Sequence, residues 1–162
     1  MEWKQGLRLW WIAAAVTAAD RLSKAAAMRL KPGSVRTLIP GVMNLRLTVN
    51  SGMAFSLLSG RSGLLCVLTA ALTAGMLIWL LGHPKAPGLM RSGLWLALGG
   101  GLGNLYDRLT RGEVIDFLEP AFVRFAVFNV ADACICIGAV LIAAALCRDL
   151  RRKEGDRIDG GI

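Results

Sequence analysis

The chain has 162 residues, is 55% hydrophobic and has a mean hydropathy of +0.54, more apolar than a soluble domain of this size carries. Its formal charge of +8 does not point to nucleic acid, because Lys and Arg fall between apolar runs and in the tail instead of forming a stripe interleaved with aromatics. Cys66, Cys134, Cys136 and Cys147 lie inside apolar runs without a CxxC pair or a nearby His cluster, which excludes a disulfide framework and a cysteine metal site.

The apolar residues gather into stretches of about 20, the length of a helix that crosses the hydrocarbon of a bilayer. The first span is expected over about 7–28. Its start, MEWKQGLR followed by LWWIAAAVTAA, has the look of a cleavable signal sequence. The apolar pattern resumes after Asp20 as AAAM, however, and Asp20 with Lys24 forms an acid-to-base pair at i, i+4, so one retained helix carries both.

The loop 29–61 is too long to be a plain connector in so small a protein. KPGS and PG read as turns, VRTLI and VMNLRLTVN as strands, and SGMAFSLL follows them. A small β-sheet on the outer membrane surface is the expected product. Further spans are expected over about 62–81, 90–106 and 126–147, with a polar tail from 148 to 162. The fold class is therefore membrane α-helical, a single domain of four transmembrane helices with a sheet in the first loop. An even span count puts both termini on one side. The basic tail and the GHPKAPGLMR loop make that side cytoplasmic, although Arg29, Lys31, Arg36, Arg46 and Arg61 on the opposite side weigh against it.

Ionisable groups in a membrane span cost about 2.5 to 3.5 kcal/mol at mid-helix, so each needs a partner or a task. Asp132 follows Asn129 by three residues and precedes an apolar run, and Asp116 stands in GEVIDFLEP just ahead of the fourth span. Both acids thus lie near one membrane face. Two carboxyls brought together share a proton near neutral pH, which suits aspartyl peptide hydrolysis: one takes a proton from water, the other polarises the carbonyl and protonates the leaving amine. The bland reading pairs Asp116 with Arg108 or Arg124, or makes it a helix cap, and pairs Asp132 with an arginine. Gly99 and Gly103 form a GxxxG face, and Asn104, Asp107 and Arg108 at the same helix end offer hydrogen bonds and a counter-charge. His83, the sole histidine, falls in a turn on the side away from the acids, so a histidine triad or zinc site has no support. A Ser/Lys dyad drawn from Ser23, Ser51 or Ser56 with Lys24 is disfavoured because Lys24 already has Asp20.

With these residues in view, the chain resembles the lipoprotein signal peptidases, the type II signal peptidases of bacteria. DRLSK (20–24), NSGMAF (50–55), GNLYDR (103–108), VIDF (114–117) and FNVAD (128–132) look like that family's ordered boxes. The resemblance implies an intramembrane aspartyl endopeptidase of the bacterial inner membrane, its site toward the extracytoplasmic face. It would cut prolipoproteins just before the lipid-modified lipobox cysteine, working as a monomer with membrane lipid around it and without metal, cofactor or nucleic acid. By motif, Asp116 and Asp132 match the catalytic pair. Asp20, Lys24, Asn50, Gly52, Phe55, Asn104, Asp107, Arg108, Asn129 and Ala131 would bind substrate or shape the pocket. The chain departs from the pattern at Arg21, where a Gln is usual, and in a short LEPAFVRFAV segment between the catalytic boxes. Two rivals come from other classes: a small proton-linked carrier using the same acids as a relay, and an assembly factor that docks through the GxxxG face.

Overall fold

The computed structural model describes residues 7–52 and 60–159. A single 3-10 turn, Leu7–Leu9, leads into α1, Trp10–Ala27; the hairpin β1, Val35–Ile39, and β2, Met43–Asn50, follows. Then come α2, Ser62–Gly82, α3, Gly88–Arg111, β3, Val114–Pro120, and α4, Val130–Asp159. The two hairpin strands stand where alternation and the Pro40–Gly41 turn predict them, with Gly41 at a φ of +72° that favours glycine.

The third strand is absent from the sequence-based expectation, which took VIDF as the approach to the fourth span. Instead β3 pairs antiparallel with β2, giving the sheet order β1-β2-β3 with Asp116 opposite Thr48 and Val114 opposite Asn50. Gly112 makes this possible. It ends α3 in the left-handed conformation at φ 77°, its N–H returns to the Arg108 carbonyl at 3.0 Å, and the chain turns directly into the strand.

The expected fourth span also begins later, at Val130 instead of about residue 126. Phe128 is held back by β3, exchanging backbone hydrogen bonds with Leu118 at 2.8 and 3.0 Å, so the helix starts only after Asn129. At its other end α4 runs on through the polar tail to Asp159.

Helix α3 is the centre of the bundle, and its glycines explain how. A Cβ on Gly99 would meet the backbone of Ala13 at 2.8 Å and one on Gly103 the Asp20 carboxyl at 2.5 Å, so the GxxxG face is filled by α1 of the same chain. On another face, a Cβ on Gly93 would lie 2.7 Å from the Gly138 carbonyl and one on Gly100 2.4 Å from the Ala131 carbonyl, both on α4. Backbones approach where side chains are missing. An apolar cluster of Ala13, Leu80, Trp95 and Leu98 fills the bundle at the end away from the sheet.

Two helices, Ser62–Gly82 and the Val130–Glu154 stretch of α4, are long and apolar enough to cross a membrane. Their outward residues, among them Val67, Leu72, Ile78 and Val140, are more than 60% exposed, an apolar surface that water would not tolerate over such an area. The other two helices carry Asp20, Lys24 and Asp107, each turned fully inward.

Gly100→Ala should lower stability by about 1–3 kcal/mol, since the new methyl meets backbone and not a movable side-chain tip. Gly75→Ala, which meets nothing within 4 Å, should leave the melting temperature in detergent unchanged or raised. Equal melting of the two variants would show that α3 and α4 do not pack backbone to backbone.

Candidate active site

At the sheet end of the bundle, three asparagines and two aspartates make one hydrogen-bonded group. Asn50 Nδ2 donates to Asp116 Oδ2 at 2.9 Å, and Asn129 Nδ2 donates to Asp116 Oδ1 at 2.6 Å. Asn104 Nδ2 donates to Asp132 Oδ1 at 2.7 Å, while the Asn129 backbone N–H reaches Asp132 Oδ2 at 3.3 Å. One residue, Asn129, therefore touches both acids. Asp116 is 1% exposed and Asn129 is fully buried.

Local chemistry explains the placement of Asp132. Asn129 is the N-cap of α4: its Oδ1 accepts the Asp132 N–H at 2.9 Å, and the Asp132 carboxyl accepts the Asn129 N–H in return. This reciprocal pattern between N-cap and third helical residue is a capping box, which fixes the backbone at the helix start. It also puts the Asp132 carboxyl at the positive end of the helix dipole. The preceding N–H, of Ala131, is satisfied from α1 by Asp20 Oδ1 at 3.0 Å.

Asp116 owes its position to the sheet. Asn50 pairs with Val114 in the register, so its side chain lies diagonally across the same face from Asp116. The Asn50 amide is oriented by its own turn, Oδ1 accepting the Gly52 N–H at 2.9 Å. The Gly52 carbonyl in turn accepts from Arg108 Nη2 at 3.3 Å, and Arg108 faces both acids electrostatically.

Behind the acids lies a charged cluster. Lys24 Nζ contacts Asp20 Oδ2 at 2.9 Å, Asp107 Oδ2 at 2.8 Å and Asn104 Oδ1 at 2.9 Å, and all three charged side chains are 0% exposed. Arg21 pairs with Asp107 Oδ1 and lies over the Tyr106 ring, 4.2 Å from its centroid. Two acids and two bases thus close a neutral set. Asp107 Oδ2 additionally accepts the Ile115 N–H at 3.4 Å, tying the cluster to β3.

The structure accordingly gathers Asp20, Lys24, Asn50, Gly52, Asn104, Asp107, Arg108, Asp116, Asn129, Ala131 and Asp132 at one end of the bundle. Phe55 lies outside the described residues. Arg21 was noted in the sequence only as a departure from a pattern. The signal for its role was present, since a cation beside Asp20 in an apolar helix needs a partner. Among the described residues no arginine forms an ion pair with Asp116 or Asp132, so the bland pairing has no support. Ser23 donates to the Asp20 carbonyl at 3.0 Å and Lys24 has no serine partner among the described residues, which leaves the Ser/Lys dyad unformed. His83 is an exposed turn residue stacked on Trp79.

Two cavities flank the acids. One, of about 900 Å³, is a cleft over β2, β3 and the 121–127 loop, lined by Thr48, Asn50, Asp116, Glu119 and Arg124 among others. The second, of about 520 Å³, is a mainly apolar groove between α2, α3 and α4 that includes Leu68, Leu72, Met76, Ile135 and Asp132. Asn50 borders both.

Burial pushes the Asp116 carboxyl up from 3.8 to about 6; the neighbouring Asp132 charge adds to this, and the amides of Asn50 and Asn129 oppose it. No group of three or more His, Cys, Asp or Glu with metal-binding geometry occurs among the described residues.

A helical bundle with a sheet at one end and a pair of buried, amide-held carboxyls between two cavities defines a small hydrolase of the aspartic type. A sequence profile described as signal peptidase (SPase) II matches residues 12–148, and the chain belongs to that family. Among its relatives is the lipoprotein signal peptidase of Thermosynechococcus vestitus, 39% identical over 137 residues that cover 82% of this chain and 87% of the relative. The lipoprotein signal peptidase of Streptococcus pneumoniae is 35% identical over 131 residues, 80% of this chain and 86% of that one. A solved bacterial membrane enzyme superposes with a TM-score of 0.84 at 29% identity, over 88% of this chain and 89% of its own. A second, also a bacterial membrane enzyme, gives 0.78 at 30% identity, over 86% and 92%. The protein is a membrane-embedded peptide hydrolase.

Because the folded-state value of Asp116 lies above the ordinary one, its neutral form favours the fold, and that stability is full below about pH 4 and lost as pH rises through about 6. Asp116→Asn removes the titration. The variant should match wild type at pH 4 and exceed it by up to about 3 kcal/mol at pH 8, measured by thermal melting in detergent. A stability difference independent of pH would mean that Asp116 is not held neutral by its surroundings.

Proposed function

We propose that this chain removes signal peptides from prolipoproteins as an intramembrane aspartic endopeptidase, with Asp116 and Asp132 as the acid/base pair. The observation that carries this reading is the shared contact of Asn129 with both carboxyls in a buried site between a polar cleft and an apolar groove. Two carboxyls that share Asn129 and repel one another electrostatically disfavour double ionisation, so one keeps a proton. The ionised member takes a proton from water as the water oxygen attacks the scissile carbonyl. The protonated member hydrogen-bonds the carbonyl oxygen and then passes its proton to the leaving nitrogen, with no covalent enzyme intermediate.

The two cavities suit the two halves of such a substrate. The apolar groove along α2, α3 and α4 accommodates the hydrophobic signal segment, and the polar cleft over the sheet accommodates an extended chain on the other side of the cut. A diacylglyceryl group on the cysteine following the cut would be held by the bilayer, delivering the bond to the site by lateral diffusion. Asn50, borders of both cavities and donor to Asp116, stands where substrate would cross from one to the other. Gly52 and Arg108 belong to the substrate side of the site, and Phe55 is assigned to substrate by its motif position alone; Asp20, Lys24, Asn104, Asp107, Asn129 and Ala131 hold the site in shape.

In this reading all four helices span the membrane. The inward placement of Asp20, Lys24 and Asp107 makes α1 and α3 compatible with hydrocarbon despite their charges. Arg148, Arg151, Arg152 and Lys153 at the far end of α4 favour a cytoplasmic location for both termini, which puts the acids at the extracytoplasmic face of the bacterial inner membrane. The enzyme acts as a monomer. The carrier reading fares worse, because Asp20, Asp107, Asp116 and Asp132 meet at one end of the bundle instead of marking a path through it.

Asp116→Asn and Asp132→Asn should each lower cleavage of a diacylglyceryl-modified precursor by about a thousandfold or more while the protein still melts cooperatively. Assayed in detergent by gel shift of the precursor, cleavage retained by either variant would remove the pair from the chemistry.

A further inference from the structure

Each of the three asparagines around the acids has its side-chain oxygen tied to a donor, and this determines which way its nitrogen points. Asn50 Oδ1 is tied to the Gly52 N–H and Asn129 Oδ1 to the Asp132 N–H, both backbone groups two or three residues away. Asn104 differs. Its oxygen is tied to the Lys24 ammonium on another helix, at 2.9 Å. An ammonium donates hydrogen bonds and accepts none; Lys24 forms ion pairs with Asp20 and Asp107 and donates a hydrogen bond to Asn104. The Asn104 atom facing it must therefore be oxygen, and the nitrogen is left to face Asp132 at 2.7 Å.

We infer that Lys24 is a positioning residue which, acting through the Asn104 amide, keeps Asp132 as the ionised member of the pair and leaves the proton on Asp116. This rests on the peptidase reading given above. The charged surroundings are unequal in the required sense. Asp132 lies at the positive end of α4 and accepts from an amide that a buried cation polarises. Asp116 stands on a strand and accepts from two amides, those of Asn50 and Asn129, whose oxygens meet only backbone or neutral groups. Of the remaining charges, Asp20 and Asp107 are neutralised by Lys24 and Arg21.

The roles then divide. Asp132 takes the proton from the attacking water; Asp116 hydrogen-bonds the carbonyl oxygen and then gives its proton to the leaving nitrogen, and the proton held by Asp132 restores the singly protonated pair. Without Lys24 the Asn104 amide is free to turn its oxygen toward Asp132, which favours a protonated Asp132 and an idle base.

The test is the pH dependence of kcat/KM for cleavage of a diacylglyceryl-modified precursor by the purified full-length enzyme. Its acid limb reports protonation of the base and its alkaline limb loss of the resident proton. Lys24→Met combined with Asp20→Asn keeps the buried charge balanced. This variant should move the acid limb up by about one pH unit and the alkaline limb by less. It should lower kcat about tenfold with KM little changed. Asn104→Ala keeps the Lys24 ion pairs with Asp20 and Asp107 and should do the same, so the inference stays testable should the double variant not fold. Asn50→Ala, which removes a donor to Asp116 and none to Asp132, should move the alkaline limb instead. Acid limbs that stay in place in the Lys24 and Asn104 variants, or limbs that move together in all of them, would overturn the inference while leaving the peptidase reading intact. That reading itself fails if wild-type enzyme does not cleave the precursor.

Discussion

A buried ammonium must find acceptors, and Lys24 finds them on two helices at once. Removing one partner of such a set costs about 3–5 kcal/mol, because a charge is left in a dry interior. Asp20 comes from the same helix one turn earlier, so the pair is complete within α1, but Asp107 and Asn104 come from α3. The contact therefore fixes the rotation of α3 against α1, and with it the direction in which Asn104 presents its amide. Gly103 makes room, since any side chain there would strike the Asp20 carboxyl. The glycine and the ion cluster are two halves of one constraint: close approach permits the short contacts, and the contacts hold the approach.

From that fixed frame the rest follows through backbone groups. Asp20 caps the Ala131 N–H, Asp107 accepts the Ile115 N–H, and Asn129 closes a capping box with Asp132. Strand β3 and helix α4 are thus both hung on carboxylates of the cluster, and the two acids of the site arrive on those two elements. A hydrogen-bond donor meets each carboxyl oxygen of the two acids.

Much of this arrangement was legible in the residues. The apolar runs marked α2 and α4, alternation marked the first two strands, and the i, i+4 spacing marked Asp20 with Lys24. Asn129 and Asp132, three apart at the head of an apolar run, already had the form of a cap. What stayed hidden depended on partners far along the chain. VIDFLEP is too short to declare itself a strand, and β2, which makes it one, contributes Asn50 from 66 residues away. Arg21 read only as a departure from the family pattern because its partner Asp107 lies 86 residues on. The start of α4 was misjudged for a related reason: Ala126 and Val127 are as apolar as the helix that follows, and only pairing of Phe128 with Leu118 withholds them from it.

The hydrogen bond from Ala131 to Asp20 joins residues 111 positions apart, the first helix to the last. Within α1 the lysine is already neutralised by an aspartate one turn away, so that helix is charge-balanced before the rest of the chain is in place. Neither the strand bearing Asp116 nor the helix bearing Asp132 exists until nearly the whole polypeptide has been made. The group joining Asp116, Asn129 and Asp132 therefore forms only once the first and last helices have met.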